Sequence, residues 1–214
     1  MALSTPVGTS YYISQTFAAT KTISGISAAN PGLATSVAHG YADDDEILLQ
    51  VAWDLAKNSV YQVDQQSADT FLVNGLNTTN TNNFASGGGA GTASKISSWL
   101  ELPNVLSISP QGGTARFVDV RLLKSLQGLK LPDGFEAMSI TFDIGFDPSE
   151  TNWATLLDIS RNTTPVAYKS LKGSGAATYG YGYFMMGEAP LQSSGQVDRV
   201  QGVFAALGRT ISYA

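Results

Sequence analysis

The residues that most often carry out catalysis are scarce in this chain of 214 residues. His39 is the single histidine, and cysteine is absent. A Ser-His-Asp triad or a histidine metal site would have to use His39, while disulfides, cysteine nucleophiles and thiolate zinc sites are excluded. His39 lies in the turn-like segment AHGYADDDE, where a polar turn residue is the simpler interpretation. The sequence therefore predicts no catalytic residue at this position.

The densest group of potential metal ligands is the run of four acids from Asp43 to Glu46. Carboxylate oxygens suit calcium, but the run lacks the spaced D-x-D-x-D-G pattern that ends in glutamate. Adjacent residues of a strand also point to opposite faces. A solvated acidic turn is the favoured interpretation, and no metal is predicted.

No cofactor or enzymatic activity is predicted either. The glycine-rich stretches at 87–89 and 173–182 lack the Lys-Ser/Thr ending of a phosphate-binding loop. No pair of carboxylates stands out among the 17 acids as the pair that glycoside hydrolysis requires.

Composition indicates an assembled protein that does not hold nucleic acid. The net charge is −5, and basic residues are scattered apart from a mild cluster at Arg116, Arg121, Lys124 and Lys130. Tight binding of nucleic acid requires clustered phosphate contacts, whereas an acidic chain can lie beside DNA without holding it. Only 14% of residues are charged, against the usual ~25%, which indicates surface hidden in an assembly. No signal peptide or membrane-length apolar run is recognised, which predicts a chain made in a cytoplasm.

Most of the predicted elements are short strands, formed by blocks of strand-forming residues bounded by Gly, Pro, Asn and Ser. These strands would have to position the side chains of any functional site. The clearest is at 135–145, and its apolar face is formed by Met138, Ile140, Phe142 and Ile144. Further strands are predicted at 176–186 and 197–207. The first of these aligns Tyr179, Tyr181 and Tyr183. Such an aromatic ladder belongs to a core, a subunit interface or a platform for stacking sugars or bases.

One helix is predicted at about residues 148–162. Asp147 is a good N-cap, Pro148 suits the first helical position, and Glu150 completes a capping box. A single helix between strands predicts a mainly β (α+β) fold in which the helix covers one sheet edge or face.

Residues 74–95 contain almost no large apolar side chain and include three consecutive glycines. Such a segment cannot offset the entropy of its own ordering. We therefore predict a long flexible surface loop, or a linker that is ordered by a neighbour.

Two stretches resemble known families. ISGISAANPGLATSVAHGYADDDEILL, followed by TFLVNGLNTTNTNNFASGGG, resembles a small β module of phage tail proteins that is similar to the first catalytic cysteine half-domain of ubiquitin-activating enzymes. This resemblance implies a module at 22–92 within a single domain of 1–214, and no ubiquitin transfer. LPDGFEAMSITFDIGFDPSETNWATLLDISRNTTPVAYKSL and the closing FAALGRTISYA resemble the major tail tube proteins of siphophages.

The second resemblance implies a β-sandwich or partial barrel of two packed antiparallel sheets with one flanking helix. It also implies hexameric rings that stack into the tail tube of the virion, assembled in the host cytoplasm, as the conduit for genome ejection. The implied partners are tape-measure protein and then double-stranded DNA in an acidic lumen, with tail terminator and tail-tip proteins at the ends. Another tail component, such as a terminator, a baseplate protein or a receptor-binding β-sandwich, is the alternative.

Residue-level expectations follow from this resemblance. The candidate inter-subunit contacts are Tyr179, Tyr181, Tyr183, Phe204, Ile211 and Tyr213. The candidate lumen acids are Glu136 and Asp143, which strand alternation places on opposite faces, so that at most one faces the lumen. The loop 74–95 and both chain ends are candidates for ring-to-ring stacking.

Overall fold

The computed structural model describes residues 8–124 and 126–214. Strands dominate, and in the described part of the chain they are accompanied by one helix, α1 (Trp153–Asn162). The strands, in chain order, are β1 (Ser10–Ser14), β2 (Lys21–Ile23), β3 (Gly25–Ile26), β4 (Gly32–Thr35), β5 (Glu46–Val51), β6 (Ser59–Gln65), β7 (Thr70–Val73), β8 (Gly91–Lys95), β9 (Leu100–Glu101), β10 (Val105–Gln111), β11 (Ala115–Val120), β12 (Leu129–Phe135), β13 (Ser139–Gly145), β14 (Val166–Leu171), β15 (Ala177–Met186), β16 (Arg199–Ala206) and β17 (Ile211–Tyr213).

The first sheet folds over on itself. Its strands run in the order β10-β13-β16-β15-β14-β1-β9, and β17 pairs with the first part of β15. Tyr11 on β1 and Phe142 on β13 are four strands apart, which is roughly 19 Å along a flat sheet. Their ring centroids are nevertheless 5.8 Å apart. The sheet therefore forms a two-layer sandwich, with β13 and β16 in one layer and β14 and β1 in the other.

The core of this sandwich lies between the two layers and under the helix. Ile140, Phe142 and Ile144 are buried on one face of β13, as the alternation of the sequence predicts. Helix α1 adds Trp153 to the same core. The Ser160 hydroxyl accepts a hydrogen bond from the backbone N–H of Met186 at 2.8 Å, which ties the helix to the end of β15.

The helix begins later than predicted. Residues 148–152 form turns, and α1 starts at Trp153 with Asn152 at the N-cap and no side-chain capping bond. The Asp147 carboxylate instead accepts hydrogen bonds from the backbone N–H and the hydroxyl of Ser149, at 3.0 and 2.6 Å. Asp147 therefore closes a local turn, and the predicted capping box with Glu150 is wrong.

The second sheet curls into a small, nearly closed barrel formed by residues 21–95. Its seven strands run in the order β2-β8-β5-β6-β7-β4-β3. The two outer strands, β2 and β3, are separated along the chain only by Ser24, so the sheet returns to its own beginning. The barrel has its own core, which includes Ile47, Phe71 and Trp53.

The barrel is inserted between β1 and β9 of the sandwich. The chain enters and leaves it side by side, since Phe17 forms a bridge with Ile96 and the Ala18 N–H donates to the carbonyl oxygen of Lys95 at 2.8 Å. A third apolar cluster joins the two bodies: Leu48 and Val60 of the barrel pack with Tyr179 and Tyr181 of the sandwich.

The predicted loop 74–95 is shorter in the structure. Residues 91–95 form β8, which pairs with both β2 and β5. Within the remaining segment, Thr78 is fully buried and Phe84 packs edge-on against Trp53 with ring centroids 5.2 Å apart. These two anchors were missed because a single aromatic residue and a single buried threonine in a polar segment give no periodic signal. The flexibility of residues 74–90 stays a prediction.

The predicted fold class is confirmed: the chain is mainly β, with antiparallel sheets, a nearly closed barrel and one flanking helix. The division into one domain with a distinct module at 22–92 remains our proposal. Residues 1–7, part of the chain end predicted to act in stacking, lie outside the described residues. No helix in the described ranges has the length and hydrophobicity needed to span a membrane.

Candidate assembly surfaces

One broad face of the sandwich is uncovered. It lies on the outer side of β10, β13, β16 and β15, and cross-strand pairing aligns its side chains in rows. We call this surface the open face, and its rows are Ser107-Asp143-Gln201, Ser109-Thr141-Val203-Met185 and Gln111-Ser139-Ala205-Tyr183. Hydroxyl and amide groups predominate, and most of these side chains are exposed.

The open face ends at an unpaired strand edge. Among the residues that the structure describes, β10 pairs with β13 on one side and with no strand on the other. The opposite edge of the sheet is β9, which has two residues. Free backbone N–H and C=O groups along an edge are a template for pairing with another chain.

A second exposed element, which we call the arm, is the hairpin of β11 and β12. In the described part of the chain these strands pair only with each other. β12 has seven residues, a length of about 23 Å. Cross-strand pairing gathers Val118, Val120, Leu129 and Leu131 on one face of the arm.

The arm is far more apolar than a solvated hairpin should be. Val118, Leu129 and Leu131 are each close to half exposed, and Phe135 is 73% exposed. Two-stranded hairpins have marginal stability in water, and large apolar patches on a surface mark interaction sites. The arm is therefore a candidate surface for contact with another subunit or protein.

Glycines at the base set the direction of the arm. Gly112 has φ +76° and Gly113 has φ +69°, a region that strains other residues. A Cβ at Gly112 would lie 2.0 Å from the carbonyl oxygen of Ala137, whereas a Cβ at Gly113 would meet nothing within 4 Å.

We expect Gly112→Ala to open the base of the arm more than Gly113→Ala does. The left-handed conformation costs alanine roughly 1–2 kcal/mol, which corresponds to about tenfold faster hydrogen exchange for Gly113→Ala. Gly112→Ala adds the clash with Ala137. The backbone amides of Gly113 and Glu136, which bond across the base, report the difference by NMR-detected exchange. Equal exchange in the two variants would contradict this account.

A family comparison identifies the kind of protein that carries these surfaces. A family model described as phage tail tube protein matches residues 51–214. The chain belongs to the phage tail tube protein family. The matched residues include the open face, the arm and part of the small barrel. This family is structural, so the chain is a component of the phage tail, and the prediction of a non-enzymatic virion protein is confirmed.

Two solved structures resemble this tail tube protein weakly. One is a chain from the virion of a native gene transfer agent particle, with 17% identity and a TM-score of 0.41, covering 54% of this chain and 89% of that one. The other is the cap that terminates the tube of an anti-feeding prophage, with 12% identity and a TM-score of 0.35, covering 53% and 82%. Comparison with curated proteins finds no match. None of these comparisons shows the resemblance of residues 22–92 to the ubiquitin-activating module, which stays a prediction.

Three of the predicted contact residues of the tail tube protein lie inside the subunit. Phe204 has no exposed surface, and Tyr179 and Tyr181 are buried against the small barrel. Phe204 and Tyr179 have almost no accessible surface and cannot contact a neighbouring subunit, so the prediction is corrected for these two. Tyr181 keeps 9% of its surface and packs mainly within the subunit, and its role in assembly stays a prediction. The error arose because β15 leaves the barrel junction after Tyr181: Tyr179 and Tyr181 are covered, whereas Tyr183 on the same face is 39% exposed.

The other predicted contact residues have partly accessible side chains. Tyr183 belongs to the open face and remains a candidate contact. Ile211 and Tyr213 on β17 pack against the small barrel. The Tyr213 hydroxyl donates to the carbonyl oxygen of Asn74 at 2.7 Å and accepts from the backbone N–H of Gln62 at 3.0 Å. The main contacts of Ile211 and Tyr213 are thus within the subunit, and a role in assembly stays a prediction.

The two candidate lumen acids lie in different settings. Asp143 is on the open face, where the Ser107 hydroxyl donates to its carboxylate at 2.9 Å and Arg199 approaches to 4.0 Å. Glu136 lies at the base of the arm and accepts from the Thr114 hydroxyl at 2.7 Å. Because β13 begins only at Ser139, strand alternation does not extend to Glu136, and the parity argument linking it to Asp143 is wrong.

A polar network joins the small barrel of the tail tube protein to its sandwich. The Glu46 carboxylate accepts from Lys169 Nζ at 2.6 Å and from the Tyr179 hydroxyl at 2.7 Å, and the Trp99 indole N–H also donates to it. Lys169 Nζ lies 5.4 Å from the ring centroid of Trp99. Burial, followed by the hydrogen bond and charge of Glu46, raises the pKa of Tyr179. This junction is therefore a satisfied ion pair enclosed by aromatic rings.

We expect stability to fall in alkali because buried tyrosines resist ionisation. Burial is the main cause that raises the pKa values of Tyr41, Tyr61 and Tyr213 from 10 to about 12. The unfolded chain loses these protons first, so stability is intact below pH 10 and is lost as the pH rises through about 12. A pKa raised from 10 to about 12 corresponds to a loss on the order of 2–3 kcal/mol for each of these tyrosines.

Urea denaturation at increasing pH measures this loss. Tyr61→Phe, which removes an ionisable hydroxyl, should flatten the decline. An unchanged urea midpoint up to about pH 12 would show that these tyrosines ionise equally in both states.

The remaining chemical candidates are explained by local structure. His39 is buried, accepts from the Tyr41 backbone N–H through Nδ1 at 2.9 Å, and places Nε2 2.9 Å from the carbonyl oxygen of Ser67. Asp45 pairs with Lys95 at 2.6 Å. The described residues contain no group of acids, histidines and cysteines that could hold a metal ion.

Sequence reasoning missed the arm, which is the most exposed apolar element. A usable signal was present: Gly112-Gly113 precede two stretches in which valine and leucine recur, ARFVDV and LKLPDGF, and the second stretch contains Gly134 near its end. Proline and charged residues interrupt both stretches, which hid the pairing.

Proposed function

We propose that this chain closes into hexameric rings that stack into the tail tube and form the conduit for genome ejection. The observation that carries the proposal is an apolar arm and a free sheet edge on one subunit, both of which can contact a neighbouring subunit. Each subunit offers them once, which suits head-to-tail contacts that repeat around a ring.

Ring closure is proposed to use the edge of β10. Pairing of β10 with a neighbouring subunit joins the sheets of successive subunits and removes edges that would otherwise aggregate. The number six comes from the resemblance to siphophage tail tube proteins.

The open face is proposed to line the lumen. Its hydroxyl and amide groups offer weak contacts, and its two charges, Asp143 and Arg199, lie close enough to offset each other. A wall without clustered cations cannot make the multiple phosphate contacts that hold DNA. We therefore propose a nearly neutral wall past which tape-measure protein and then double-stranded DNA move. The acidic lumen expected from the resemblance is not supported by this face.

The arm is proposed to stack one ring on the next. Its length of about 23 Å carries an apolar face well beyond the end of β10. Burying that face against the next ring removes it from water. Tail terminator and tail-tip proteins would then meet the two ends of the stack, and assembly would take place in the cytoplasm of the host.

Electron microscopy of the purified protein across a concentration series tests this proposal. We expect hollow tubes whose cross-section, in averaged images, shows six subunits. Rings that never stack would assign the chain to a terminator-like role. A protein that stays monomeric or trimeric at every concentration would overturn the proposal.

A further inference from the structure

We propose that the small barrel stands on the outer wall of the tube and gives that wall its negative charge. The inference rests on the proposed function, which places the open face in the lumen. It assigns a place to residues 21–95, which neither the fold nor the family match explains.

The first step is that the outer surfaces of the two sandwich layers face in opposite directions. The core residues of both layers point at each other, as the contact of Tyr11 with Phe142 shows. The outer side of β13 and β16 is the open face, and the outer side of β14 and the first part of β15 lies on the far side of the core. β15 passes from one layer to the other, because residues 177–182 pair with β14 and residues 182–186 pair with β16. Packed layers are about 10 Å apart.

The second step is that the barrel covers the outer side of β14 and the first part of β15. Ala167 on β14 and Tyr179 on β15 pack against Leu48 and Val60 of the barrel. The ion pair of Lys169 with Glu46 crosses the same junction. A subunit whose open face borders the lumen therefore has its barrel on the opposite side.

The third step is the distribution of charge. Residues 21–95 contain seven of the 17 acids and three of the 12 basic residues, a net charge of −4, whereas the whole chain has −5. Asp43, Asp44 and Asp64 are all in the barrel. The acidity of the chain thus belongs to the barrel rather than to the open face.

Thiol labelling tests the inference directly because the chain has no cysteine. Val37→Cys places a thiol on the barrel, where Val37 is 79% exposed, and the matched variant Val203→Cys places one on the open face. Tubes are formed first and then treated with a bulky polyethylene-glycol maleimide or with small N-ethylmaleimide. Thr141→Cys on the open face replaces Val203→Cys if that variant does not form tubes.

We expect the bulky reagent to label Val37→Cys in tubes and to leave Val203→Cys unlabelled, while both variants react as free subunits. If both Val37→Cys and Val203→Cys are protected in tubes, the outer position of the barrel is overturned, and the proposed function is retained. Labelling of Val203→Cys in intact tubes would overturn the lumenal open face, and with it the proposed function.

The electrophoretic mobility of intact tubes tests the charge. The double variant Asp44→Asn/Asp64→Asn should lower the electrophoretic mobility of the tubes. Mobility depends on the charges that lie within a Debye length, about 10 Å, of the outer solution. Asp143→Asn should leave the mobility unchanged. Equal effects of the two changes would overturn the assignment of charge to the outer wall.

Discussion

Subunits that carry Val118→Thr, Leu129→Ser and Leu131→Ser should fold normally but fail to form tubes. These side chains share one face of the arm and are each about half exposed in the subunit, so folding loses little. Assembly buries the half that is still exposed, which is worth roughly 0.8–1.5 kcal/mol for each side chain. Three such losses at each contact should raise the concentration needed for assembly by about 50-fold to 2,000-fold.

Turbidity and electron microscopy measure the assembly, and chemical denaturation verifies the fold. Val37→Thr is the matched control, because it removes an apolar side chain that is 79% exposed on the small barrel. This control should assemble at the wild-type concentration. Normal tubes from the triple variant would exclude the arm from the stacking contact.

The second large effect is expected at the junction of barrel and sandwich. The side chains of Lys169 and Glu46 are only 17% and 13% exposed. Lys169→Met leaves a carboxylate buried without its cation, and Glu46→Leu leaves an ammonium group between aromatic rings. Removing one partner of a buried pair costs about 3–5 kcal/mol, so each variant should lower the free energy of unfolding by this amount.

The double variant Lys169→Met/Glu46→Leu tests whether the two charges stabilise the junction as a pair. With both charges replaced by apolar side chains, the loss should be smaller than the sum of the single losses. Lys57→Met is the control, since its pair with Asp54 is largely exposed and should contribute little to stability. Additive losses in urea denaturation would show that Lys169 and Glu46 act independently.

The elements with strict periodicity were predictable from the sequence, and those governed by tertiary contacts were not. The buried face of β13 follows directly from alternation, and Trp153 lies on the buried side of the helix as its spacing indicates. The helix start was placed too early because Asp147 has two competing uses, as a cap and as a turn acceptor. Sequence preferences alone do not decide between them.

The assembly surfaces were harder to predict for a physical reason. Tyr179 and Tyr183 have the same residue type and lie on the same face of one strand, but only the first is covered by the small barrel. That difference depends on where a second body docks, which strand alternation does not encode. The arm was missed because its apolar residues pair across a hairpin, and the pattern becomes visible only when its register is known.

The side-by-side entry and exit of the small barrel has an evolutionary consequence. Because Phe17 and Ile96 are bridged, the chain enters and leaves the barrel at one point, and the barrel's other attachment is its packing on Tyr179 and Tyr181 of the sandwich. Recombination can exchange the barrel while leaving the pairing of β1 with β14 in register. On the proposed arrangement, such an exchange alters the outer surface of each subunit and leaves the lumen unchanged, provided that the new segment also covers Tyr179 and Tyr181.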